Sequence, residues 1–239
     1  MMRKTTWAAV SICGLLLFCT GFLVIHVSVL LSGGNTVGKT QKTVIVDPGH
    51  GGVDGGAVSA DGTVEKGINL EISLKIRDFL EAYGYRVIMT RETDISIHDS
   101  SAQSIREKKV SDLHNRLKIA EDNPEAVFVS VHQNKFEVPK YCGTQTFYSP
   151  NNPQSAELAK VIQANIREQL QPENERAIKK AGKEIYILYH MDQTAVMVEC
   201  GFLSNPEETA KLVQPEYQDQ LAFLIATSVA QYDASQITQ

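Results

Sequence analysis

Thr43-Val44-Ile45-Val46-Asp47-Pro48-Gly49-His50 sets four β-branched residues in a row and closes them with a proline-glycine turn that delivers a histidine. A β-branched run bounded by turn residues reads as a buried strand. Beyond it a glycine-rich loop extends to about Val64, and Ile68, Ile72, Ile76, Phe79 and Leu80 then recur at helical spacing up to a stop at Gly84. The alternation continues with a strand over Arg86–Thr90, a helix over Asp112–Glu121 with Ser111 as its candidate N-cap, and strands over Ala126–Val131 and Thr144–Tyr148. A helix from about Ser155 to Leu170, a short element at Ile185–Leu188, a strand over Ala195–Val198 and a terminal helix from Pro215 to about Gln231 complete the pattern. Strands alternating with helices predict an α/β domain with a largely parallel, mixed central sheet flanked by helices. Ligands gather at the carboxyl ends of the strands in such sheets, which is where His50, His132 and Glu199 fall.

Upstream of the first strand the chemistry changes. Trp7 to Leu31 contains no Asp, Glu, Lys or Arg, and at 1.5 Å per residue it is long enough to cross a hydrocarbon core of roughly 30 Å. It exceeds the usual apolar stretch of a cleaved signal and ends in Ser32-Gly33-Gly34 without a clear Ala-x-Ala cut site, so residues 1–31 read as a transmembrane anchor rather than a secretion signal, with cleavage as the alternative. Arg3 and Lys4 favour a cytoplasmic N-terminus and a domain on the outer side of the cell membrane, although Lys39 and Lys42 beyond the span weaken that bias. Residues 32–41 form a Gly/Ser/Thr-rich linker, and residues 42–239 suit one globular domain.

Of the 239 residues 43% are hydrophobic and 21% charged, close to the averages for folded domains. The first 39 residues hold three of the 23 basic side chains and none of the 28 acidic ones, which leaves the remainder at a formal −8. An acidic domain lacks the Lys and Arg that neutralise phosphates, so nucleic acid is excluded as a partner and small or peptide-like substrates are favoured. Cys142 and Cys200 stand alone in this domain; one disulfide or two free thiols both fit.

Catalytic zinc sites commonly draw three ligands from His and Asp or Glu and leave a fourth position open. His50 lies between glycines that allow tight turns and close approach, and His132 follows a stiff apolar strand. Glu65 opens the first long helix, where a carboxylate suits the helix dipole as well as a cation; from placement alone a plain first-turn charge is the simpler reading. Glu199 ends the apolar run Ala195-Val196-Met197-Val198, and burial there would raise its pKa toward the range of a general acid or base. Pairing with a basic residue such as Arg91 is the structural alternative. The stretch GHGGVDGG lacks both the Gly-Lys-Ser/Thr ending of a phosphate loop and the spacing of a dinucleotide fold.

VIVDPGHGGVDGGA, VEKGINLEISLKI, VIMTRETD, VFVSVHQN and VECGFLSNPEE, in this order between Val44 and Glu208, resemble the zinc-dependent N-acetylmuramoyl-L-alanine amidases of bacterial cell walls. The resemblance extends from about Thr43 to Tyr232 and, with GTQTFYSP at Gly143–Pro150, is narrowest to the membrane-anchored members that act in spore cortex maturation and germination, where muramic lactam forms. It implies zinc held by His50, Glu65 and His132, catalysis by Glu199, peptidoglycan as substrate and hydrolysis of the amide between muramic acid and L-alanine. Arg91 and Asn134, near strand ends, are candidate substrate contacts, with a pairing of Arg91 to Glu92 or Asp94 as the alternative. The polar stretch Ile95–Ser111 is a candidate flap, and that stretch, the linker or a regulatory protein partner could control the enzyme. Gln133 stands where many members of the family have a small residue or histidine, and Cys200 where a small or aliphatic residue is commoner, which leaves substrate preference open. The rival readings are a zinc carboxypeptidase trimming the stem peptide and a non-catalytic wall-binding protein.

Overall fold

A computed structural model of the chain describes residues 41–237. The expected anchor at residues 1–31 and all but the last residue of the linker lie outside the described residues; among those described, no helix is long and apolar enough to cross a membrane. Among the described residues, strands β1 (Thr43–Pro48), β2 (Arg86–Met89), β3 (Val127–Asn134), β4 (Gln145–Tyr148), β5 (Lys179–Lys180) and β6 (Ala195–Phe202) are interspersed with six helices. These are α1 (Glu65–Ala82), α2 (Ile105–Glu121), α3 (Pro153–Gln169), α4 (Tyr186–His190), α5 (Pro206–Leu212) and α6 (Pro215–Ile237).

The strands form one mixed sheet in the order β2-β1-β3-β6-β4-β5. β2, β1, β3 and β6 run parallel, and β4 joins β6 in the antiparallel sense. Alternation along the strands sorts side chains between two cores. Val44, Val46, Val129, Val131, Val196 and Val198 pack under α1, α3 and α6, where Ile72, Ile76, Leu158, Ile162, Leu221 and Ile225 meet them. Ile45, Phe128, Phe147 and Met197 face the opposite way, against Leu117 and Ala120 of α2 and Leu188 of α4. Side chains fully removed from water on both faces each contribute about 1.5–3 kcal/mol, so β1, β3 and β6 form a rigid centre for whatever stands at their ends.

Several boundaries differ from the sequence reading. β3 runs on to Asn134 and β6 to Phe202, so His132 and Glu199 stand within strands, fixed by ladder hydrogen bonds, rather than on loops after them. α2 begins at Ile105, not Asp112. Its N-cap is Ser104, whose hydroxyl accepts from Glu107 N while the Glu107 carboxylate accepts from Ser104 N, a reciprocal capping box. Ser111 instead lies inside the helix and bonds Asp99. The stretch Ile95–Ser111 is therefore half helix, and its loop half is tied down: Asp112 accepts from Ile97 N and Ser96 Oγ, and Asn115 donates to Ile97 O. Cys142 and Cys200 are both free thiols, the first exposed and the second buried.

Candidate metal centre

The turn after β1 is held from beneath by two buried arginines. Arg116 donates to Pro48 O at 2.8 Å and His50 O at 2.7 Å, and pairs with Asp47 at 2.5 Å and Asp112 at 2.6 Å. Arg91 donates to Pro48 O, Gly49 O, Lys66 O and Thr93 O at 2.8–3.1 Å. Four of these contacts converge on the carbonyls of Pro48, Gly49 and His50, where the backbone of His50 adopts φ 62°. A left-handed non-glycine residue costs on the order of 1–2 kcal/mol, and the arginine cradle offsets that cost. Burial and the Arg116 charge beside it lower Arg91 to about 10. Burial alone would raise Asp47, but the Arg116 charge and the Ser130 and Thr90 hydroxyls outweigh it and hold the carboxylate below its usual range. The structure thus places Arg91 beneath the turn rather than in an open groove, bonded to carbonyls and unpaired with Glu199.

Above this cradle His50, Glu65 and His132 come together, with one ligand atom of each inside 4.8 Å of the others. His50 Nε2 lies 3.2 Å and His132 Nδ1 3.0 Å from Glu65 Oε1, and the two imidazoles meet edge to face at 4.8 Å between centroids. Glu65 is the first residue of α1 and only 3% exposed. Its other partners fix it: Ala57 N donates to Oε2 at 2.7 Å, while Gln133 N and Asn69 Nδ2 donate to Oε1 at 3.0 and 3.1 Å. On the far side of the His50 ring, Nδ1 meets Asp54 Oδ2 at 2.8 Å, and Asp54 is paired in turn with Lys109 at 2.7 Å. A carboxylate on one imidazole nitrogen fixes the tautomer and leaves the other nitrogen for a ligand. Asp54 escaped the sequence reading, although its place four residues after His50 in the glycine loop was the signal.

Two glycines leave room for this convergence. A Cβ on Gly49 would lie 2.2 Å from His132 Nε2, and one on Gly56 would lie 2.5 Å from Glu65 Oε2 and 2.6 Å from His50 Cδ2. Such distances are far below contact, so the loop is shaped to the three side chains. Two imidazole nitrogens and a carboxylate oxygen at one point are the donor set of a divalent cation with an open coordination position. Burial opposes charge on His50, yet its hydrogen bonds to the Asp54 and Glu65 carboxylates prevail and raise it to about 9. Glu65 is held well below the carboxylate range by the two histidines, against the cost of its burial. The residues fit a metal.

Glu199 stands beside this cluster on the adjacent strand, in register with His132 on one side and with Gln145 of β4 on the other. Its Oε2 is buried without a hydrogen-bond partner. Burial pushes it up to about 7; the positive charges of His132 and His50 oppose the shift and Glu65 adds to it. A carboxyl half protonated at neutrality can take and return a proton. Asn134, partly exposed, ends β3 beyond an irregularity in the β3–β6 register, with its carbonyl accepting from Leu203 N at 2.8 Å.

Comparison with known proteins adds the family. Residues 44–231 match the model of the family described as N-acetylmuramoyl-L-alanine amidase. The germination-specific N-acetylmuramoyl-L-alanine amidase of Bacillus subtilis is 35% identical over 191 residues, covering 80% of this chain and 79% of that protein. Among solved structures, the CwlD amidase of Clostridioides difficile, in complex with the GerS lipoprotein, superposes with a TM-score of 0.79 at 40% identity over 82% of this chain and all of that one. The amidase AmiC2 of Nostoc punctiforme gives 0.71 at 28% identity over 82% of this chain and 99% of its own.

Proposed function

The chain belongs to the N-acetylmuramoyl-L-alanine amidase family, and from that membership we propose how this enzyme cleaves the amide joining muramic acid to L-alanine in peptidoglycan and where it does so. His50, Glu65 and His132 would hold zinc, whose borderline preference for imidazole and carboxylate matches this donor set. The observation that carries the reading is the buried, partnerless Oε2 of Glu199 on the strand beside His132.

When bound, the metal supplies Lewis acidity toward the amide carbonyl and toward water in the same site. Glu199, poised near neutrality by burial, removes a proton from the attacking water. The same carboxyl returns that proton to the alanine nitrogen as the carbon–nitrogen bond breaks, so free stem peptide and a glycan lactyl carboxylate leave. Asp54 holds the His50 ring, and Arg91 and Arg116 hold the backbone that carries it. Asn134, at the rim of the same strand end, contacts substrate.

We place the enzyme at the outer side of the cell membrane, anchored through Trp7–Leu31, in spore cortex maturation and germination. The Bacillus subtilis relative named as germination-specific supports that role. The Clostridioides difficile relative captured with a lipoprotein supports a regulatory protein partner for this chain. Mass analysis of digested muropeptides, together with zinc content, tests the chemistry: loss of the entire stem peptide is expected. Removal of single terminal residues would make the protein a carboxypeptidase instead.

A further inference from the structure

On the β4 side of the centre lies an open cleft of about 820 Å³ that the mechanism above does not use, walled by Tyr141, Gly143, Arg176, Glu208 and Tyr217. Arg176 is the most tightly held cation in it. Its guanidinium lies 4.4 Å from the Phe202 ring centre and 5.8 Å from that of Tyr141. Nε donates to Cys142 O at 2.8 Å and Nη1 to Gln145 Oε1 at 3.3 Å. Among the described residues no hydrogen-bond acceptor meets Nη2. Gln145 is the residue directly opposite Glu199 across the β4–β6 ladder, and directly opposed residues place their side chains on one face with Cβ atoms about 5 Å apart. Gln145 thus bonds the guanidinium and stands opposite the proposed general base in the ladder.

The carboxylate in the floor of the cleft does not neutralise this arginine by direct pairing. Glu208 accepts from Gly143 N at 2.9 Å and from Phe202 N at 2.8 Å, which commits both its oxygens to backbone and pins the β3–β4 connection to β6. Lys140 and Lys211 add positive charge to the walls, and Glu173, Glu175 and Glu207 add negative charge. A cleft of mixed sign, with one guanidinium held over an aromatic ring, is poorly matched to neutral sugar. It is well matched to a peptide bearing carboxylates, because the planar guanidinium fork recognises carboxylate with little further ordering.

We infer that Arg176 is a specificity-determining residue: it grips a free carboxylate of the stem peptide and seats the peptide in this cleft while the scissile amide crosses the space between Glu199 and the three-residue cluster. This rests on the amidase reading. A charge-assisted contact of this kind is worth about ten- to a hundredfold in binding.

The test uses the full-length, zinc-loaded protein and muropeptides that differ only in whether each stem-peptide carboxylate is free or amidated. With the native chain, amidation of one carboxylate should raise KM about ten- to a hundredfold with a much smaller change in kcat. Arg176→Gln should show the raised KM on both substrates, so that the preference vanishes, and Arg176→Lys should restore part of it. Equal KM values for free and fully amidated substrates with the native chain, which no folding defect could produce, would overturn the inference alone. A preference that persists in Arg176→Gln would do the same. Failure of the native chain to release stem peptide from any substrate would overturn the amidase reading and the inference with it.

Discussion

The start of α1 and the end of β6 each bring a carboxylate to the same site, and their surroundings differ in kind. Glu65 is met by Ala57 N, Gln133 N, Asn69 Nδ2 and two imidazoles. Glu199 is enclosed between β3 and β4 with Oε2 unpartnered. The first is held well below the ordinary carboxylate range despite its burial, and burial pushes the second up to about 7. Hydrogen-bond supply thus sorts two chemically identical groups into a permanent anion that can hold a cation and a proton carrier that can act at neutral pH.

The largest effect is expected on the saturated side. Arg116→Met would leave the buried Asp47 without its cation, His50 O without its donor and Pro48 O with only Arg91. Removal of one partner of a buried pair costs about 3–5 kcal/mol, which urea unfolding should report; a loss under 1 kcal/mol would show that the cradle is dispensable. Glu65→Gln keeps the shape but removes the anion that both histidines face. Changes in groups around a metal ligand alone cost about 10–100-fold in affinity, so loss of a ligand's charge should weaken zinc by more than about 100-fold in a chelator competition, and unchanged affinity would reassign the ligand set.

The smallest effect concerns pH. Without metal, His50 is raised to about 9, since its hydrogen bonds to Asp54 and Glu65 outweigh the opposing burial, so a metal must displace a proton from it throughout the neutral range. Zinc affinity should therefore rise with pH, up to about tenfold per unit, and level off near pH 9. In the metal-free protein the same raised value means that the stability from this proton is full below about pH 6.5 and is lost as pH rises through about 9. An affinity that stays flat between pH 6 and 8 would show that the histidine is not protonated in the free site.

Much of the architecture could be read from local pattern. The β-branched run Thr43–Val46 and the periodic Ile68, Ile72, Ile76 and Leu80 carry their own signals, and both became elements of the core. α2 was misplaced by two turns because its first turns are exposed and polar, with no apolar period to follow; the Ser104-x-x-Glu107 cap was the better marker. α5 likewise announces itself only through Asn205-Pro206, which caps and starts it. The cradle could not be read at all. Arg116 reaches His50 O across 66 positions of sequence, and an arginine that bonds remote backbone carbonyls leaves no local trace. Asp54 and Gln145 were invisible for a related reason: each matters through what the fold sets opposite it, His50 in one case and Glu199 in the other.

The difference between the two acids is tested most directly at Glu199 itself. Glu199→Gln should bind zinc as tightly as the native chain, because the three proposed ligands are untouched. It should release stem peptide from purified peptidoglycan about 10²–10⁴-fold more slowly, the usual worth of a positioned acid–base group. A zinc-loaded Glu199→Gln protein that turns over at the native rate would contradict the account.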